Sequence, residues 1–122
     1  MTIYQRMTDV FEHAGVPGFL QEWRATALYP QIPEMFAAYQ VLESGSALEA
    51  DDIEIAHRYV VQIDLYGETD VSGKLRTILM ELEAQGFTLS DVRDMDNTRA
   101  TRYIYHRRWR ATFIDYQVDQ YE

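Results

Sequence analysis

Residues 53–86 read IEIAHRYVVQIDLYGETDVSGKLRTILMELEAQG, and a change of period inside this stretch decides the fold. Ile53, Ile55, His57, Tyr59, Val61, Ile63 and Leu65 fall at every second position, so an extended strand puts them all on one face. Val71, Leu75, Ile78, Leu79 and Leu82 then recur at i, i+4, i+7, i+8 and i+11, which gathers them on one side of an α-helix. A long strand therefore hands over to an amphipathic helix that can lie back across the sheet. Asp70 or Ser72 is placed to cap that helix, and Gly86 to stop it.

The same helical template opens the chain. Ile3, Met7, Val10, Phe11 and Ala14 repeat the spacing, and Gly15 supplies the stop. From Val16 to Pro33 come all three prolines, Pro17, Pro30 and Pro33, with Phe19, Trp23 and Tyr29. Proline fixes φ and withholds a donor, so this is an irregular link with at most a short strand at Ala25–Tyr29. Met35–Glu43 suits a strand and Ser44–Asp52 an exposed, acidic hairpin tip.

After Gly86, Phe87–Met95 is a fourth strand candidate, Asp96–Ala100 a turn, and Arg102–Ile114 a second long strand. Tyr103, Tyr105, Trp109, Ala111 and Phe113 share one of its faces; Ile104, His106, Arg108, Arg110 and Thr112 share the other. Arg107 is the exception, a charge on the apolar face that needs a carboxylate partner or an interface. Beyond Phe113 the apolar residues become Ile114, Tyr116 and Val118, a slip that predicts a bulge or bend there. Residues 115–122 then either pack on a neighbour or cross the other face of the same sheet. The fold class is α+β: one domain over 1–122, an antiparallel sheet of four to five strands with both helices packed on one face.

Composition narrows the chemistry. The chain has 122 residues and no cysteine, which excludes disulfides, thiolate metal sites and cysteine nucleophiles. Its apolar runs are far shorter than the roughly 20 residues needed to span a bilayer. Arg6, Asp9 and Glu12 break any signal-like apolar region at the start, so the protein is expected to reside in the cytoplasm of the cell that makes it, with no membrane partner. The net charge is −9, which argues against general adhesion to nucleic acid. Yet Arg99, Arg102, Arg107, Arg108 and Arg110 form a run without an acid. Six bases against twenty acids remain elsewhere. A subunit with opposite charges on separate surfaces can pair head to tail with its copies, and such contacts close into rings if the rotation allows.

Motifs for catalysis or cofactor binding fail on spacing. GETDVSGK at 67–74 sits between strand and helix like a phosphate loop, but five residues separate its glycines, Leu75 follows the lysine, and Glu68 and Asp70 repel phosphate. Asp94, Asp96 and Thr98 begin like a calcium loop, which wants glycine and glutamate where Arg99 and Tyr105 stand. His13, His57 and His106 show no paired ligand spacing and read as structural histidines. No Gly-x-Ser-x-Gly elbow occurs. Asp64, Glu81 and Glu83 could meet other acids in space, though nothing in the sequence singles them out. The arginine run with Tyr103, Tyr105 and Trp109 interleaved invites a nucleic-acid reading; on a strand those aromatics face away from Arg108 and Arg110, which favours a buried aromatic face behind a charged one. The expectation is a non-enzyme with no cofactor, no catalytic residue and no metal.

The order of elements, with Tyr59–Tyr66, Leu75–Leu82, Gly86-Phe87 and Tyr103–Phe113 carrying the likeness, resembles the tail terminator and tail completion proteins of long-tailed bacteriophages over roughly the last two-thirds of the chain. The resemblance implies a virion subunit forming a ring, commonly hexameric, at the head-proximal end of the tail tube. That ring stops tube polymerisation and joins the tail to the head connector. The implied partners are copies of the chain, the tube protein and neck proteins, with DNA only as passing cargo. A head-completion or neck adaptor role is the neighbouring alternative, and a small-molecule-binding α+β module the one from another class. The interface residues expected are Arg107, Arg108 and Arg110, with Glu49, Asp51 and Asp52 on the acidic tip, which would face the lumen or the adjoining ring and keep DNA from sticking.

Overall fold

The computed structural model describes residues 1–23, 25–26, 30–50, 53–95 and 102–116. Their order is α1 (Ile3–Ala14), β1 (Gly18–Leu20), β2 (Met35–Ala50), β3 (Ile53–Gly67), α2 (Ser72–Ala84), β4 (Thr88–Asp94) and β5 (Tyr105–Asp115). The strands form one sheet in the order β1-β2-β3-β5-β4. The architecture is α+β, as the change of period implies. The sheet is mixed rather than purely antiparallel, because β1 joins β2 in parallel over three residue pairs.

Local chemistry explains both helices. Thr2 and Gln5 form a reciprocal capping box: the Thr2 hydroxyl accepts from the Gln5 N–H and the Gln5 side chain from the Thr2 N–H. Gly15, at φ 72°, turns α1 off while the Val16 N–H donates to the Phe11 carbonyl. The Asp70 carboxylate accepts from the Ser72 N–H at the start of α2. Gly86, at φ 94°, ends that helix in the same left-handed way, with the Phe87 N–H donating to the Leu82 carbonyl.

Both helices lie on one face of the sheet. Ile3, Met7, Val10, Phe11 and Ala14 of α1 and Leu75, Ile78 and Leu82 of α2 pack with Val71 on Ala37, Tyr39, Val61, Ile63, Leu65, Trp109, Ala111 and Phe113. Burying the larger of these apolar side chains, about 1.5–3 kcal/mol of transfer free energy each, is what holds the helices to the sheet. Trp109, fully buried at the centre of β5, is the largest member.

Several expectations change. The short strand is Gly18–Leu20; Ala25 and Thr26 are irregular and residues 27–29 lie outside the described set. Gly18 is required there, since a Cβ would run into the Phe11 ring. The stretch from Ser44 onward is not a loop tip, because β2 continues to Ala50 and pairs with β3 throughout. Register shifts at Val41/Glu43, Ser46/Leu48 and Leu48/Glu49 bend this outer half. Strand β5 starts at Tyr105, not Arg102, and Tyr103 lies against Phe36 and Tyr66 on the face away from the helices. The expected bulge at Phe113 is absent: β5 stays in continuous register with β3 through Asp115 opposite His57. The slip in the apolar pattern instead leaves Ile114 and Tyr116 exposed. Asp115 is therefore still in the chain's own sheet, while 117–122 and the expected turn at 96–100 lie outside the described residues.

Candidate functional site

The face of the sheet turned away from the helices carries the polar chemistry. Side chains at even positions of β3 point to it, so Arg58, Val60, Gln62, Asp64 and Tyr66 share that face with His106, Arg108, Arg110 and Thr112 of β5. Asp64, only 5% exposed, is its anchor. Its Oδ1 lies 2.7 Å from His106 Nε2 and accepts from Arg108 Nε at 2.7 Å. Burial is the largest influence on Asp64 and disfavours its charge, but the His106 and Arg108 hydrogen bonds and the Arg108 charge together hold the carboxyl below its ordinary range.

Beside this cluster runs an aromatic row. Phe36 stacks on Tyr66 at 5.0 Å between centroids, Tyr66 on His106 at 4.2 Å, and Tyr103 meets Phe36 edge-on at 5.2 Å. Burial, then the nearby Asp64 charge, raises the Tyr66 phenol above its usual range. The row is a packed aromatic wall with His106 stacked at its end.

Next to Asp64 the face becomes basic. Arg93 of β4 stands opposite Arg108, and Arg110 stands between Gln62 and Ser90. Arg58, Arg93 and Arg110 are exposed. Arg110 makes no ion pair among the described residues, whereas Arg108 is committed to Asp64. Arg107 points to the other side, its Nε 2.7 Å from Asp94 Oδ1 without hydrogen-bond alignment. Of the three expected interface arginines, Arg107 and Arg108 thus have carboxylate partners within the chain and Arg110 remains outward. Glu49 is exposed on β2; Asp51 and Asp52 lie outside the described residues.

The third feature is the far end of the β2–β3 hairpin. Strand β1 covers β2 only at residues 37–39, and β5 reaches β3 no further than His57. Residues 47–50 and 53–56 therefore form a two-stranded arm among the described elements. It carries large apolar side chains in the open, with Leu48 50% and Ile53 53% exposed and Ile55 exposed beside them. At its base the two ring nitrogens of His57 contact Ser44 Oγ at 2.7 Å and Glu54 Oε1.

Open clefts also occur among the described residues. One of about 870 Å³ lies between α1 and the link, with Phe11, Val16, Phe19 and Tyr39 in its wall. Another of about 390 Å³ is bordered by Asp70, Ser72, Asp94 and Arg107. In the GETDVSGK stretch the Asp70 carboxylate accepts from the Ser72 hydroxyl and Glu68 pairs with Arg102. His13 pairs with Glu81 at 2.8 Å. No group of three metal-ligating side chains occurs among the described residues, and no helix among them is long and apolar enough to cross a membrane.

Sequence reasoning missed Asp64 as the partner of Arg108 and missed Arg58 and Arg93 as members of the basic face. The available signal was parity: Arg58 and Asp64 occupy the even positions opposite to the alternating apolar set. No family model matches this chain, and no curated protein matches it.

Proposed function

We propose that this chain is a structural, non-catalytic assembly subunit that closes into a ring at the end of a protein tube, in the manner of the phage tail terminator and tail completion proteins it resembles. The observation that carries the reading is the β2–β3 arm. A two-stranded ribbon has too little surface to bury its own side chains, and an isolated hairpin is at best marginally stable in water. Leu48, Ile53 and Ile55 nevertheless stand on this one in the open. Such a ribbon gains stability when it lies on another protein surface.

The resemblance supplies the rest of the reading: six copies in the ring, the tube protein on one side, neck proteins on the other, DNA passing through the lumen, and a final location in the virion tail after assembly in the host cytoplasm. In the test, purified protein is added to the cognate tube protein while tubes polymerise, and tube lengths are measured by electron microscopy. Shorter tubes capped at one end are expected. An unchanged length distribution at saturating protein overturns the reading.

A further inference from the structure

We infer that the arm of one copy docks on the basic face of a second copy, so that Glu49 and Glu54 of the first meet Arg93 and Arg110 of the second. The inference deepens the assembly reading above and rests on it.

Two like-charge pairs inside the chain carry the argument. On the arm, Glu49 and Glu54 are direct cross-strand partners. On the face, Arg93 and Arg108 are direct cross-strand partners, with Arg110 two residues further along β5. Like charges placed opposite each other across a strand pair destabilise it. Asp64 offsets the Arg108 charge. Among the described residues Arg93 and Arg110 have no ion-pair partner in their own chain. On the arm Glu54 has His57, and Glu49 has no ion-pair partner among the described residues. Each surface therefore holds an excess of one sign at cross-strand spacing, and the excesses are opposite. Seating a negative ribbon on a positive one gives Glu49, Arg93 and Arg110 the opposite charge that they lack among the described residues of their own chain.

The apolar residues fit the same arrangement. Leu48 stands exposed on the arm, and Val92 and Ile114 stand exposed on the strands that bear the arginines. Apolar groups at the centre with charges around them is the usual anatomy of a specific contact. Arm and receiving face are different surfaces, so the contact is head to tail and every copy offers one of each. This gives the acidic arm a neighbouring subunit as its destination in place of the lumen.

The test uses two reversed variants, Glu49→Lys with Glu54→Lys, and Arg93→Glu with Arg110→Glu. Weight-average mass is measured by sedimentation equilibrium at about 0.05 M and about 0.5 M salt, where screening lengths differ several-fold. The unaltered chain is expected to self-associate at low salt and dissociate at high salt. Each variant alone is expected to associate at least about tenfold more weakly. Mixed in equal amounts they regain association, because the lysine arm of one fits the glutamate face of the other. Circular dichroism separates loss of contact from loss of fold, and a variant that unfolds is replaced by its alanine counterpart. A chain that stays monomeric at low salt, variants that associate like the unaltered chain, or a mixture without rescue would each overturn the contact. So would a face-reversed variant whose lost property is binding of a single-stranded oligonucleotide and not self-association. Failure of tube capping with charge-rescued association would instead remove the terminator reading and leave the contact standing.

Discussion

Asp64 on β3 and Arg108 on β5 stand directly opposite each other in antiparallel register, and Arg108 Nε donates to Asp64 Oδ1 at 2.7 Å. The same carboxylate oxygen meets His106 Nε2, so one buried charge fastens two positions of the neighbouring strand. The pair lies at the border where the aromatic row gives way to the exposed arginines.

Removing Asp64 should therefore cost more than removing Arg108. Asp64→Ala leaves buried His106 without its carboxylate, and a loss of about 2–3 kcal/mol is expected in urea unfolding. Arg108→Ala should cost less, because its side chain already reaches solvent, and the double variant should fall short of the sum. The pH dependence follows from the depressed Asp64 pKa. Its contribution is complete above the unfolded value of about 3.9 and drains away as pH falls through the lower folded value. Asp64→Asn should flatten that acid limb of the stability curve.

The His13–Glu81 contact ties α1 to α2 at the surface and has the opposite sign. The Glu81 hydrogen bond, followed by its charge, raises the His13 pKa. The tie is therefore fully present below the unfolded value of about 6.5 and is lost as pH rises through the higher folded one. Thermal unfolding should show a small decline in stability over that window which His13→Ala abolishes.

Gly67 ends β3 where the chain turns toward α2. A Cβ there would run into Val71 Cγ1 and stand 2.8 Å from the Thr69 carbonyl oxygen. Backbone at that distance cannot yield as a side-chain tip can, so Gly67→Ala should destabilise by about 1–3 kcal/mol. A change at Gly45, where an added Cβ meets nothing within 4 Å, serves as the control.

Replacing residues 47–56 by Asn-Gly, a pair suited to a two-residue hairpin turn, should shorten the arm without disturbing the core. Stability should fall by only about 1 kcal/mol, since Ala56 is the one fully buried side chain among the described residues of the excised stretch. Self-association and tube capping should both disappear. Retention of either in a folded, shortened chain would separate that property from the arm.

What the sequence made legible follows from where the physics is local. Val71, Leu75, Ile78 and Leu82, like Ile3, Met7, Val10 and Phe11, show a helical period because each helix buries a single stripe. Val61, Ile63 and Leu65 show a period of two because helices cover their face. Beyond that cover the pattern fails: Gly45, Ser46 and Glu49 are strand residues held only by pairing to β3, with no burial to select apolar side chains. Strand β1 is invisible for a different reason, since three residues contribute no period. Strict alternation puts Tyr103 with Trp109, but β5 begins only at Tyr105. At the site, Arg108 and Arg110 were recognisable as outward charges, but neither Asp64 nor Arg93 could be assigned to them without the register between strands.

The outer border of β4 has its own consequence. Asp91, at φ 56°, sits in the irregularity between Ser90 and Arg93, and Arg93 and Asp94 follow it. A kinked, charged rim cannot zip to a second sheet as a straight, apolar one does. Fibrillar stacking along this side is thus discouraged in concentrated preparations, and the border behaves as a selvedge that keeps the fabric from running on.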